Sequence, residues 1–393
     1  MTGSIASAFQ QVPAIGRYRD CAEVTRQVKP LEPLYLFCRE TLAQRAQAFL
    51  QGFPGAVSYA VKANSEARIL ATLQGSGVRH FDVASLAEVA TVASCCPGAM
   101  LHFNNPVKPE EAIREAYLRF GVRSFALDEL AELEKLWQCT AGDRDVVYSV
   151  RFKLDHAGAA YDFGSKFGTD AAGAVALLRE IRRRGARPAL AFHPGSQCTD
   201  PQMYARYIAA AAHISRAADV ELALLNVGGG FAEAYCNSSA PLLGDYFAAI
   251  ADSFQREAMQ GVPLICEPGR AMVAGCVSLL TRVAHRRGDG QTLFLNDGVY
   301  GGLQEQSIVD IEFPVRVWRE GQRVDGPFAP FHCFGPTCDP VDRLVKPLRL
   351  PVDIRCGDYI EFGLLGAYGS ATATRFNGFH STSYVDVEAG WQY

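Results

Sequence analysis

The sequence predicts an α/β protein, a (β/α)8 TIM-like barrel joined to a C-terminal all-β domain. Two observations carry this prediction. Between residues 56 and 269, eight short apolar runs alternate with amphipathic stretches whose apolar residues recur at spacings of three and four. After about Gly275 the texture changes to short β-rich segments broken by Gly and Pro. Eight βα units in that length match a closed barrel better than an open sheet. The expected boundaries are 38–275 for the barrel, with 1–37 and 276–393 forming the β domain.

In order, the strand-like runs are AVSYAVKA, RHFDVAS, MLHFNNP, SFALD, VVYSVRF, ALAFHPG, LALLNVGG and PLICEPG. RETLAQRAQAFLQG supplies a helix before the first of them. EEAIREAYLRFG, ELAELEKLWQ, AGAVALLREIRRRG and YARYIAAAAHISRAAD read as helices between them. The β-rich tail runs through VSLLTRVAHRRG, QTLFLNDGVYGG, FPVRVWREG, RLPVDIRCGDYIEFG and TSYVDVEAGW. EPLYLFC, ahead of the barrel, is strand-like and is assigned to the same β domain.

Composition narrows the class of function. With 38 basic and 42 acidic residues the net charge is −4, which gives no general attraction to nucleic acid or anionic membranes. The first sixteen residues lack the basic and apolar regions of a leader, and the Ala-rich run 207–218 is broken by His213 and Arg216, so no membrane span is expected. Twelve cysteines show no framework spacing, which fits a reducing cytoplasm. CxxC and HExxH are both missing, so no metal site is expected. Small-molecule chemistry remains.

Barrel chemistry collects at the C-terminal ends of the strands. Those ends carry Lys62, Asp82 with Ser85, Arg151, His193 with Ser196, Gly228 to Gly230, and Glu267 with Arg270. Three successive glycines after a strand let backbone N–H groups close on an anion without Cβ interference, and Arg270 can cap the same phosphate. A buried lysine is costly unless its charge is paired or lost. An amine beside a phosphate anchor points to pyridoxal 5'-phosphate, with Lys62 forming an imine with its aldehyde. Singly, each residue has a plainer reading: a solvated lysine, a flexible glycine turn, a core histidine, a local ion pair. Their shared placement at the ends of different strands outweighs those readings.

With these residues the sequence resembles the fold-type III pyridoxal-phosphate decarboxylases, which have an alanine racemase-like barrel and include the ornithine, lysine and diaminopimelate enzymes. YAVKAN, FHPGSQ, GGGF and EPGR carry the resemblance in the barrel, and NDGVYG, FGPTCDPVD, GDYIEFGLLGAYG and FNGF carry it in the β domain. It implies that Lys62 holds the cofactor, that His193 stacks on the pyridine ring, and that Ser196, Gly228, Gly229, Gly230, Arg270 and Tyr368 contact its phosphate. Asp82 and Arg151 complete the implied cofactor-binding set. Glu267 would face the ring nitrogen and keep it protonated, which favours decarboxylation; a racemase of this fold places arginine there. Cys338 matches the family's proton donor, and Asp339 matches the carboxylate that binds a distal ammonium.

The implied activity is decarboxylation of L-ornithine or L-lysine, in polyamine biosynthesis. The implied assembly is a homodimer whose sites are shared between chains, with Lys166 and Asp342 paired across the boundary. Two positions depart from the pattern. Pro194 replaces a common valine, and the aspartate usually nine residues after the tyrosine of NDGVYG is here Val309, followed by Asp310. Either the loop has a one-residue insertion and Asp310 binds the substrate, or that contact is lost. Its loss would suit a longer or acylated diamino acid, such as a siderophore intermediate. A non-catalytic homologue that binds a regulatory partner would be expected to have lost cofactor residues, which this chain retains.

Overall fold

The computed structural model describes residues 16–154 and 166–391. They form two compact units. Of the described residues, one comprises 43–154, 166–234 and 239–272, and the other 16–42, 235–238 and 273–391; residues 1–15 of the expected β domain lie outside the described residues.

The first unit is a closed barrel of eight parallel strands. They are β1 (Ala56–Ala60), β2 (His80–Val83), β3 (Met100–Phe103), β4 (Ser124–Leu127), β5 (Val147–Arg151), β6 (Arg187–Ala191), β7 (Leu224–Asn226) and β8 (Leu264–Cys266). Seven of the eight predicted runs contain one of these strands, and the eighth, ALAFHPG, overlaps the last three residues of β6, which begins earlier at Arg187. Closure comes from β8 pairing with β1, where Ile265 lies opposite Ala56. Helices cover the outside, among them Ala67–Gly75, Leu86–Cys95, Ala171–Arg183, Gln202–Ala218 and Leu243–Arg256. Their apolar faces are buried, as with Ile69, Leu70 and Leu73 in the first of these.

Three adjacent barrel strands carry a chain of polar side chains. Along β2, β3 and β4, His80 Nδ1 lies 3.0 Å from His102 Nε2, and His102 Nδ1 lies 3.0 Å from Ser124 Oγ. Burial holds both imidazoles below their ordinary range, His102 at about 3, so the chain is a neutral one.

The second unit is mostly sheet. A ten-stranded sheet joins Arg17–Tyr18 and Leu34–Phe37 to eight strands from the C-terminal third. Leu34–Phe37 pairs antiparallel with the start of Val277–Arg286 and parallel with Tyr384–Val387. Around it Cys21, Val24, Leu34, Leu36, Leu280 and Val385 form a buried cluster. Two short helices, Cys21–Gln27 and Glu305–Ile308, interrupt the all-β pattern. All twelve cysteines are free thiols. No helix among the described residues is long and apolar enough to cross a membrane.

Candidate active site

The polar ends of the barrel strands meet at one mouth. Lys62 lies in a tight turn, Val61–Ala63, immediately after β1. Its Nζ is 4.0 Å from Asp82 Oδ2, at the end of β2. Ala60 donates its N–H to Pro268 O (3.2 Å), which ties the lysine turn to the EPGR loop. Ser85, beside Asp82 in sequence, does other work: its Oγ caps the following helix by accepting the Glu88 N–H.

Glu267 follows β8, and two amides converge on one of its oxygens. Asn104 Nδ2, just after β3, and Asn226 Nδ2, at the end of β7, each donate to Oε1 at 2.5 Å. Asn226 Oδ1 meanwhile accepts the Gly228 N–H at 2.9 Å. Neither asparagine was singled out from the sequence. Asn104 is the first polar residue after an apolar run, and Asn226 precedes the triglycine, so strand-end position was the available signal.

The electrostatics of this cluster are tightly coupled. Burial raises the Glu267 carboxyl, nearby Asp82 raises it further, and the Asn226 amide, Lys62 and Arg151 pull it down. Burial also raises Asp82, against Lys62, Arg151 and a hydrogen bond from Asn104. Burial lowers Arg151 while Glu267 and Asp82 hold its charge in place. His193 is pushed well below its ordinary range by burial and by the cations Lys62 and Arg151. Its neutral Nδ1 accepts the Gly195 N–H at 3.1 Å.

The triglycine loop is glycine for reasons of packing. Gly228 and Gly230 have φ of +67° and +91°. A Cβ would stand 2.2 Å from Phe192 O at Gly228, 2.5 Å from Glu267 O at Gly229, and 2.4 Å from Gly195 O at Gly230. Backbone therefore packs directly on backbone from two loops, those after β6 and β8, and Tyr204 fixes this from behind by donating its hydroxyl to Gly229 O at 2.6 Å. Because the Gly228 N–H is spent on Asn226, that residue's contribution to an anion site is close approach rather than an amide donor. Arg270 begins the short helix Arg270–Val273 and is buried, and Ser196 is half-buried beside Gly195.

These residues fit pyridoxal phosphate. The mouth holds an amine, a neutral imidazole, a carboxylate oriented by uncharged donors, and an arginine next to a cradle that any Cβ would fill.

In the sheet unit, Cys338 and Asp339 share a loop stapled by Asp342. The Asp342 carboxylate is 1% exposed and accepts from Val299 N, Thr337 N and Thr337 Oγ1. It is thus committed within its own chain. Asp339 Oδ2 accepts the Tyr300 hydroxyl at 2.6 Å, and this bond, with one from the Val341 N–H, holds its carboxyl below the usual range. Asp310 is engaged elsewhere: its carboxylate is 78% exposed and accepts from Lys346 Nζ at 2.6 Å. Tyr368 is half-buried with a left-handed φ of 57°.

A model of the pyridoxal-dependent decarboxylase pyridoxal-binding domain matches residues 39–274. The lysine/ornithine decarboxylase of Selenomonas ruminantium is 30% identical over 342 residues, which cover 84% of this chain and 83% of that protein. Ornithine decarboxylase of Rattus norvegicus is 29% identical, covering 85% and 76%. The crystal structure of lysine/ornithine decarboxylase from Vibrio vulnificus, complexed with putrescine, superposes with a TM-score of 0.81 at 28% identity, over 94% of this chain and 99% of that one.

Proposed function

Since the chain belongs to the pyridoxal-dependent decarboxylase family, we propose that it converts a basic diamino acid, L-ornithine or L-lysine, to the corresponding diamine and CO2. The observation that carries this reading is Glu267, a carboxylate held by two neutral amides in a mouth that also contains Lys62 and Arg151. The names of the lysine/ornithine relatives support the choice of substrate.

When bound, pyridoxal phosphate supplies an aldehyde that forms an imine with an amine and a ring that accepts the electron pair released as the carboxylate leaves. Lys62 would hold the cofactor through that aldehyde. Glu267 holds a proton on the ring nitrogen, which sustains the electron sink. His193, being neutral, would pack against the ring without competing for that charge. Gly229, Gly230, Ser196 and Arg270 would grip the phosphate, while Asp82 and Arg151 balance the charges of Lys62 and Glu267. Cys338 returns a proton to the substrate Cα, and Asp339 binds its distal ammonium.

The working assembly in this reading is a cytoplasmic homodimer in which Cys338 and Asp339 serve the site of a second copy. Val341, Val345 and Phe379, exposed at 64%, 67% and 42%, are the kind of apolar surface that a second copy would cover. A longer or acylated diamino acid is the second reading, favoured by the engagement of Asp310 with Lys346.

The test is to offer purified enzyme ornithine, lysine, acylated diamino acids and norvaline, measuring CO2 and amine. Turnover of ornithine or lysine with little of norvaline is expected. Equal use of norvaline would remove the diamine pocket from the reading. Borohydride reduction should fix the cofactor on Lys62, and a modified peptide elsewhere would remove Lys62 from its role.

A further inference from the structure

Asn104 follows β3 and is held beside the end of β2 by its backbone N–H, which donates to Val83 O at 3.0 Å. Its side-chain amide donates to Glu267 Oε1 at 2.5 Å and also acts on Asp82, whose carboxyl it draws down. We propose that Asn104 is a positioning residue of the active site: its amide, bonded to Glu267 Oε1 and close to Asp82, forms a neutral bridge between the two carboxyl groups, favours their ionised forms, and leaves Glu267 Oε2 as the oxygen for the cofactor's ring nitrogen. This rests on the reading of Glu267 as the partner of that nitrogen.

The chemistry of a carboxamide suits this task. Two like charges held close in a low-dielectric site repel, and one of them takes up a proton unless donors are supplied. An amide group has two N–H donors and cannot ionise, so it serves two acceptors while adding no charge. A lysine or arginine in its place would neutralise Glu267 and compete with the ring nitrogen for it. The ionisable groups facing the pair are Lys62 from the turn after β1, Arg151 from β5 and His193 from the loop after β6. His102 is the register partner of Asp82 and is itself engaged by His80 and Ser124. Glu88 stands behind Asp82 with its carboxylate on the Ala84 N–H.

Asn226 is not equivalent to Asn104. It ties Glu267 to the triglycine loop through Gly228, whereas Asn104 ties it to the end of β2, where its amide also acts on Asp82. The two asparagines should therefore fail differently. Removing Asn104 should alter the ionisation of the acid pair, and removing Asn226 should also loosen the phosphate grip.

The experiment compares holoenzyme and apoprotein of the parent, Asn104→Ala, Asn104→Ser and Asn226→Ala. In Asn104→Ala the acid limb of the kcat/KM profile should move up by about one pH unit, with kcat at neutral pH reduced about tenfold and KM changed less than about twofold. Cofactor affinity should hold in Asn104→Ala and weaken in Asn226→Ala. Asn104→Ser retains one donor and should lie between parent and alanine, and it carries the test if the alanine variant does not fold.

A second readout needs no cofactor. Because Glu267 is raised in the folded state, folding takes up protons there and the group weighs on stability as pH rises through its folded value. Loss of the amide donors makes the ionised form costlier still. The melting temperature of Asn104→Ala apoprotein should therefore fall further below that of the parent at pH 8 than at pH 5. An unmoved acid limb in both Asn104 variants, with equal loss of melting temperature at the two pH values, would overturn the bridge and leave Asn104 as packing. A full pH shift persisting in a Glu267→Gln background would likewise overturn it, by confining the effect to Asp82. Full activity of Glu267→Gln alone would instead bring down the reading of Glu267 on which the bridge rests.

Discussion

Asn377 Oδ1 lies 3.2 Å from Cys338 Sγ and 3.1 Å from the Cys338 backbone nitrogen, so one side-chain oxygen holds both the thiol and its backbone. Asn377 can do this because it adopts a left-handed φ of 53° inside the Phe376–Gly378 turn, a conformation that asparagine tolerates. If Cys338 delivers a proton, Asn377→Ala should lower turnover several-fold while leaving cofactor binding intact. Parallel measurement of kcat and cofactor affinity checks this. Equal losses in both would mean that the turn matters only for folding.

Asp339 offers a second measurement. Its carboxyl is held low by the Tyr300 hydroxyl, so its negative charge persists through the ordinary carboxylate range and is lost only as pH falls through the depressed value. KM for ornithine or lysine should accordingly stay flat from about pH 8 down to about pH 5, so far as Asp339 governs it. Asp339→Asn should raise KM about tenfold or more, as expected for the loss of a charge-assisted contact. A KM that is unchanged in that variant would take Asp339 out of the substrate pocket.

Asp310 is expected to behave otherwise. Its carboxylate shares Lys346 with Glu312, at 2.6 and 2.8 Å, on an exposed surface. Exposed pairs of this kind contribute about 0–1 kcal/mol. Asp310→Ala should leave the melting temperature and KM close to those of the parent. A marked rise in KM for ornithine with no loss of stability would restore Asp310 as a substrate contact.

The shared site can be tested by mixing. Neither Lys62→Ala nor Cys338→Ala should turn over substrate normally as a homodimer. If the cysteine acts in the partner's barrel, a mixed dimer has one site with both residues altered and one with both intact. Subunit exchange, verified with two affinity tags, should then restore about one working site per mixed dimer. Verified mixed dimers without recovery would place Lys62 and Cys338 in the same site from one chain, or leave Cys338 structural.

How far the sequence alone reaches is visible at Lys62 and at Asn104. The alternation of apolar runs with helical periodicities is local information, and it located all eight strands and put Lys62, Asp82, His193, the triglycine and Glu267 at strand ends. Local information leaves the partners open. Ser85 stands at a strand end and caps a helix, and Asp310 stands near the expected substrate contact and is bound to Lys346.

What the tertiary structure decided was the company each residue keeps. Asn104 and Glu267 are separated by 163 residues and Asn226 and Glu267 by 41, yet both amides meet the same oxygen because closure of β8 on β1 brings the strand ends into one ring. The same closure presses Gly228, Gly229 and Gly230 against the backbones of Phe192, Glu267 and Gly195. Periodicity records which face of a strand a residue occupies. Which donor reaches which charge depends on strand register and on the path of three loops, and these arise from packing the whole barrel rather than from any segment of it.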